Sequence, residues 1–263
     1  MSSVQVEYAE DGRATIRLAR PERHNAFDDV VIAELTEAFS RASSAANVRW
    51  IVLESTGPSF SAGADLAWMR RMADYSEADN QRDAYALANL MRIIDTCPRP
   101  VVAVVQGAAY GGGVGLIAAC DIAVAAETAT FSLSEVRLGL IPAAISPYVA
   151  AAIGARACRR YFLTAERFSA AEAHRLGLVH EVAPADGLLE ARDRLLAALS
   201  DGGPQAQAAA KELVAGVIHR APDESLARWT AARIAEIRAS DEGREGVSAF
   251  LERRKPAWKA SRP

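Results

Sequence analysis

The sequence predicts an α/β fold that ends in a helical C-terminal part. Short apolar runs of strand length alternate with amphipathic segments of helical spacing through the first half. After about residue 139 the texture changes to helix alone. With 51% hydrophobic positions, 263 residues supply one full core, near the upper size at which a core stays single.

Residues 4–8 and 14–18 alternate apolar with polar around Asp11-Gly12, which predicts an antiparallel hairpin closed by Arg20-Pro21. From 28 to 46, Val31, Ile32, Leu35, Ala38, Phe39 and Ala42 recur at helical spacing, and 50–53 is an apolar run of buried-strand type. Ser76 opens a long helix reaching Ile94, and Pro98 and Pro100 stop it. Strands are predicted at 101–105, 122–125 and 129–132. Beyond them come a capping-box pattern from Ser169 to Glu172 and amphipathic segments near 187–200, 204–219 and 223–239. The expected division is a core over 1–200 that holds the site and a helical part over 201–263.

Charge excludes some partners. The 24% of charged residues nearly balance at a formal −3, so no global field holds a nucleic acid or an anionic membrane. Cys97, Cys120 and Cys158 are odd in number and widely spaced, which implies buried thiols in a reducing compartment. The start MSSVQVEYAEDG has no signal-peptide pattern, and no stretch approaches the ~20 apolar residues of a membrane span, so a cytoplasmic location is expected. His24, His174, His180 and His219 lack metal-ligand spacing, and no metal is expected.

Two segments share one design, in which a buried strand ends, small residues follow and a helix begins. They are Ser-Phe-Ser-Ala-Gly-Ala-Asp at 59–65 and Gln-Gly-Ala-Ala-Tyr-Gly-Gly-Gly at 106–113. Helix starts leave their first N–H groups unpaired and partially positive, so two that converge can hold a developing oxyanion.

These segments, with Cys120-Asp121 and Phe-Ser-Leu-Ser-Glu at 131–135, resemble in order and spacing the signature of the enoyl-CoA hydratase/isomerase (crotonase) family. The resemblance continues through Arg-Pro-Glu-Arg-His-Asn-Ala at 20–26, Leu-Gly-Leu-Ile-Pro at 138–142, Ser-Ala-Ala-Glu-Ala at 169–173 and Glu-Gly-Val-Ser-Ala-Phe at 245–250. It implies a spiral of ββα turns, an acyl-CoA substrate without metal or redox cofactor, and trimers or pairs of trimers built through the C-terminal helices. It places the oxyanion donors at the N–H groups of Ala64 and Gly112 and the acid/base carboxylate at Glu135. Arg23 and Arg253 become candidates for CoA contact, with Phe250 beside the acyl or adenine region. His24, Ala26, Ala62, Asp65, Leu66, Gly111, Gly115, Ser134 and Pro142 complete the expected substrate site.

The sequence departs from many hydratases of the family at Gly115, where they carry a second glutamate that positions water. Isomerases of the family manage with one carboxylate, so a 3,2-enoyl-CoA isomerase stays open as an alternative. The stretches 60–69, 133–137 and 141–147 resemble bacterial 3-methylglutaconyl-CoA hydratases of leucine breakdown and the homologous acyclic-terpene hydratases. A branched or carboxylated 2-enoyl-CoA is therefore the expected substrate.

Other classes fit less well. Residues 113–118 match G-x-G-x-x-A, but Gly113 lies well past its strand and after two earlier strand cycles, unlike a dinucleotide site. A nucleic-acid-binding scaffold would want a basic stripe, whereas the first long helix carries Asp28, Asp29, Glu34 and Glu37 against Arg41.

Overall fold

The computed structural model describes residues 2–218 and 220–260; His219 lies outside the described residues. The hairpin forms as β1 (Val4–Tyr8) and β2 (Arg13–Leu18), with Val4 opposite Leu18. Helix α1 (Asp29–Ser44) starts where the Asp28 carboxylate accepts the Val31 N–H at 3.0 Å, and it buries the six predicted apolar positions.

Three cycles then repeat one pattern. They begin with β3 (Trp50–Ser55) and β4 (Ser59–Ser61), followed by α2 (Leu66–Met72) and α3 (Glu77–Asp95). Next come β5 (Val101–Val105), β6 (Ala108–Tyr110) and α4 (Gly112–Ala118). The third holds β7 (Ile122–Ala126), β8 (Thr130–Ser132), a 3₁₀ turn over Glu135–Leu138 and α5 (Ser146–Thr164). The first strand of each cycle joins a six-stranded sheet that begins β1-β2-β3-β5-β7, and the second joins a four-stranded sheet that begins β4-β6-β8. That sharing of strands between two sheets is the spiral of ββα turns.

The expectation of helix alone after residue 139 is corrected by β9 (Phe168–Ser169) and β10 (Glu181–Ala183), which flank α6 (Ala170–Leu176). The first pairs antiparallel with β8 and the second parallel with β7. Two or three residues are too short to show a period of two, so edge pairing alone defines them. Short strands β4 and β6 likewise stand where plain loops are expected. At Ser169 half of the capping box forms: its Oγ accepts the Glu172 N–H at 3.2 Å, while the Glu172 carboxylate turns to Arg175 and Tyr161.

Apart from its exposed edge strand β1, the large sheet is buried on both faces, as its apolar strands require. Ile51 and Leu53 enter the main core with α1, whereas Trp50 and Val52 point the other way, under α7 (Leu188–Asp201). Helices α8 (Pro204–Val217), α9 (Glu224–Ala239), α10 (Asp241–Leu251) and the short α11 (Ala257–Ala260) form the C-terminal part. Lys211 Nζ of α8 donates to Asp121 Oδ2 at 2.7 Å, and Arg49 Nη2 donates to the Gly202 carbonyl at 2.8 Å, tying this part to the core. Val247, Phe250 and Leu251 are exposed on α10. Among the described residues, no helix is long and apolar enough to cross a membrane.

Candidate active site

The four-stranded sheet brings the two small-residue segments side by side, since β4 and β6 are parallel neighbours. Their glycines permit the approach. A Cβ on Gly63 would lie 2.8 Å from the Tyr110 carbonyl oxygen, and one on Gly113 would lie 2.8 Å from that of Ser61. Gly111 has φ 51° and ψ −121°, a conformation open essentially to glycine, and it turns the chain from β6 into α4.

Both expected donors are unpaired. The Phe27 N–H donates to the Gly63 carbonyl at 2.9 Å, and the Asp65 N–H donates to the Phe27 carbonyl at 3.0 Å, so both neighbours of Ala64 are engaged. Gly112 is the first residue of α4, where no intrahelical acceptor exists. Among the described residues, neither the Ala64 nor the Gly112 N–H has a hydrogen-bond acceptor.

These residues line a cleft of about 680 Å³ together with Glu135. Glu135 opens the 3₁₀ turn that follows β8, and β8 pairs with β6, so one short sheet fixes the carboxylate against the second glycine loop. A Cβ on Gly111 would sit 3.0 Å from Glu135 Oε1. Oε2 is buried without a hydrogen-bond partner among the described residues. Burial pushes the Glu135 carboxyl above the ordinary carboxylate range, opposed in part by its own backbone N–H. A half-buried carboxyl with a free oxygen, facing two unpaired N–H groups, can move a proton at a carbon whose neighbouring oxygen those groups hold.

Ala62, Gly111, Ser134 and Pro142 also line the cleft. Other expected residues stand around it. Asp65 is buried and caps α2, accepting the Ala67 N–H at 2.8 Å, and it accepts from Arg23 Nη1 at 2.8 Å. That ion pair ties Arg23 to the residue that follows Ala64. His24 is exposed, with Nδ1 3.0 Å from Ser59 Oγ, while Ala26 is buried and its carbonyl accepts from Arg20 Nη1 at 3.1 Å. Leu66 points outward, 70% exposed, and is not among the lining residues.

Besides Leu66, three further expected residues are not brought to the cleft in the single chain. Gly115 is buried inside α4, and a Cβ there would lie 2.2 Å from Ile145 Cγ2, so Ile145 fills the place of any side chain at 115. Phe250 is 82% exposed on α10, and Arg253 follows that helix with φ 56°; neither lines the cleft.

Sequence reasoning misses the opposite wall. Asn80, Asp83, Ala84 and Leu87 of α3 lie at i, i+3, i+4 and i+7 and face the cleft beside Trp68, Met69 and Met72 of α2. The stripe is visible in the sequence, but nothing there says what it faces. Burial, with the Asp29 charge behind it, raises the Asp83 pKa, opposed by the Trp68 side chain. Phe27, directly after the Arg20 to Ala26 motif, is another lining residue left unassigned.

No group of three or more His, Cys, Asp or Glu that could hold a metal occurs among the described residues. The His174 ring faces the Val179 carbonyl at 3.2 Å, and His180 Nδ1 accepts the Ala123 N–H at 3.1 Å. Cys97 and Cys158 are buried free thiols, Cys120 is half-buried and free, and burial pushes the pKa of all three up.

A family model described as enoyl-CoA hydratase/isomerase matches residues 9–261. Enoyl-CoA hydratase ACTT6 of Alternaria alternata is 37% identical over 241 residues, covering 91% of this chain and 78% of that protein. Mevalonyl-coenzyme A hydratase sidH of Aspergillus fumigatus is 32% identical over 249 residues, covering 94% of this chain and 91% of its own. The crystal structure of an enoyl-CoA hydratase from Shewanella pealeana superimposes with a TM-score of 0.95 at 44% identity, covering 98% of this chain and 96% of that one.

Proposed function

The chain belongs to the enoyl-CoA hydratase/isomerase family, and from that premise we propose that it adds water across the 2,3 double bond of a branched 2-enoyl-CoA through Glu135. Its similarity to enoyl-CoA hydratases makes it a hydro-lyase. The carrying observation is the meeting of a raised-pKa carboxylate with two unpaired N–H groups in one cleft.

The thioester oxygen accepts hydrogen bonds from the Ala64 and Gly112 N–H groups, which draws electron density from C3. Ionised Glu135 takes a proton from water as the hydroxyl bonds to C3, and the electron pair of the double bond moves into an enolate. Glu135 then returns a proton to C2, and the thioester carbonyl reforms. A single carboxylate on one face delivers both elements of water to that face, so addition is syn. Neither a metal nor a redox cofactor enters these steps.

For the acyl chain we favour a short branched chain with a distal carboxylate, of the 3-methylglutaconyl type. Two features support it. Position 115 carries no carboxylate to orient water or repel an anion, and α5 begins without a capping side chain, with Ala144 and Ile145 of its first approach lining the cleft. A neutral branched chain is the second candidate, favoured by Asp83 and by the lack of Lys, Arg or His among the lining residues. Parallel assays on 3-methylglutaconyl-CoA, 3-methylcrotonyl-CoA, crotonyl-CoA and a 3-enoyl-CoA decide. The highest kcat/KM is expected for the first. Preference for 3-methylcrotonyl-CoA would replace it with the neutral chain, and turnover of the 3-enoyl-CoA alone would make the protein a one-carboxylate isomerase.

Assembly as trimers or pairs of trimers belongs to the same proposal. The exposed apolar residues Val247, Phe250 and Leu251 of α10 support it.

A further inference from the structure

Phe27, fully buried in the main core, touches both halves of the donor pair. Its backbone forms a parallel bridge with Ala64. In that geometry the N–H and carbonyl of Phe27 both point at the facing segment, where they engage Gly63 and Asp65 at 2.9 and 3.0 Å. The peptide groups of the residue between them therefore point the opposite way. The bridge thus turns the Ala64 N–H out of the ladder and toward the cleft.

The Phe27 ring meets the second donor. A Cβ on Gly112 would sit 2.4 Å from Phe27 Cζ and 3.1 Å from Cε2, so the ring edge packs straight onto the Gly112 backbone. One residue consequently sets both the direction of the Ala64 N–H and the distance to Gly112. The segment carrying it is anchored on each side. Asn25 Nδ2 donates to the Thr56 and Ser59 carbonyls at 2.7 and 2.8 Å, Arg20 holds the Ala26 carbonyl, and Asp28 caps α1.

We propose that Phe27 is the positioning residue of the oxyanion site, a spacer that fixes the separation and aim of the two N–H donors. The proposal rests on Ala64 and Gly112 being those donors. Shortening the ring to an aliphatic chain removes the support of Gly112 while the bridge to Ala64, which is backbone only, stays. Donor misplacement on the order of 1 Å costs about 10²-fold in rate.

The test uses Phe27→Leu and Phe27→Met, with Phe39→Leu as a control that removes an equally buried ring from α1. Each is assayed for kcat and KM, and each is titrated to saturation with an arylacryloyl-CoA, whose absorption moves to the red when its thioester carbonyl is polarised. In both Phe27 variants, kcat should fall roughly 10- to 100-fold with KM changed by under about threefold, and the red shift should shrink. Phe39→Leu should lose stability and keep the shift. Should Phe27→Leu fail to fold, Phe27→Met, closer in volume, carries the test. A full shift and full kcat in a folded Phe27 variant would overturn the proposal. Ala64→Pro separates the premise from the inference. A shift that survives Ala64→Pro in folded protein removes the donor assignment itself, whereas a shift lost in Ala64→Pro and kept in Phe27→Leu removes only the role of Phe27.

Discussion

Glu135 combines a cost to folding with its proposed use in chemistry. Its carboxyl is pushed up by burial, so in the folded chain the ionised form is disfavoured relative to the unfolded chain. Below the unfolded carboxylate pKa the group is neutral in both states and costs nothing; the penalty grows as pH rises from there through the raised folded pKa and is complete above it. Glu135→Gln removes the ionisable proton and keeps the shape. The variant should therefore melt above wild type at neutral pH, with the difference fading as the pH falls through the ordinary carboxylate range. Thermal melts at several pH values check this, and a variant less stable at neutral pH than wild type contradicts it. Glu135, Ala64 and Gly112 are legible in the sequence because each sits on a short segment whose small residues and order are distinctive. Asn80 and Asp83 are not, because their place depends on how α3 lies over the cleft, a tertiary fact.

At the scale of elements, the proposed chemistry depends on strands of three residues. β4 and β6 are too short to read as strands, and of the three only β8 is predicted, yet their pairing sets the glycine loops in contact and hangs Glu135 over them. The long elements, such as α1 and β5, are legible from periodicity; the small sheet is not, because its register comes from pairing across distant segments. Helix α4 carries a further consequence. Restoring a carboxylate with Gly115→Glu cannot reproduce a two-carboxylate site, because the first atom of the side chain would meet Ile145 Cγ2 at 2.2 Å and Ile145 Cβ at 2.7 Å. Overpacking of this kind costs about 1–3 kcal/mol. Gly115→Glu should lower the melting temperature and lower kcat on every substrate, measured by calorimetry and by the same enoyl-CoA panel. A stable variant with raised crotonyl-CoA hydration would show that Ile145 yields and that the site accepts a second carboxylate.

On the scale of the whole molecule, the core carries the cleft, and the C-terminal helices are pinned to it by Lys211 with Asp121 and by Arg49 with the Gly202 carbonyl. Phe250 and Arg253 stand away from the cleft of their own chain, so any contact they make with CoA has to come with assembly or movement. Sedimentation should give a mass of three or six 28.0 kDa chains, and a lone 28.0 kDa species at micromolar concentration would contradict the assembly. Strand and helix alternation makes the α/β class legible, whereas the spiral is implied only through the family signature, since hydrophobic pattern does not say which of two sheets a strand joins. The central claim, that one half-buried carboxylate works against two backbone donors, is tested most directly by the hydration kcat of Glu135→Gln in folded protein at saturating enoyl-CoA. A loss of about 10²- to 10⁴-fold is predicted; a loss of less than about tenfold would contradict a general acid/base role for Glu135.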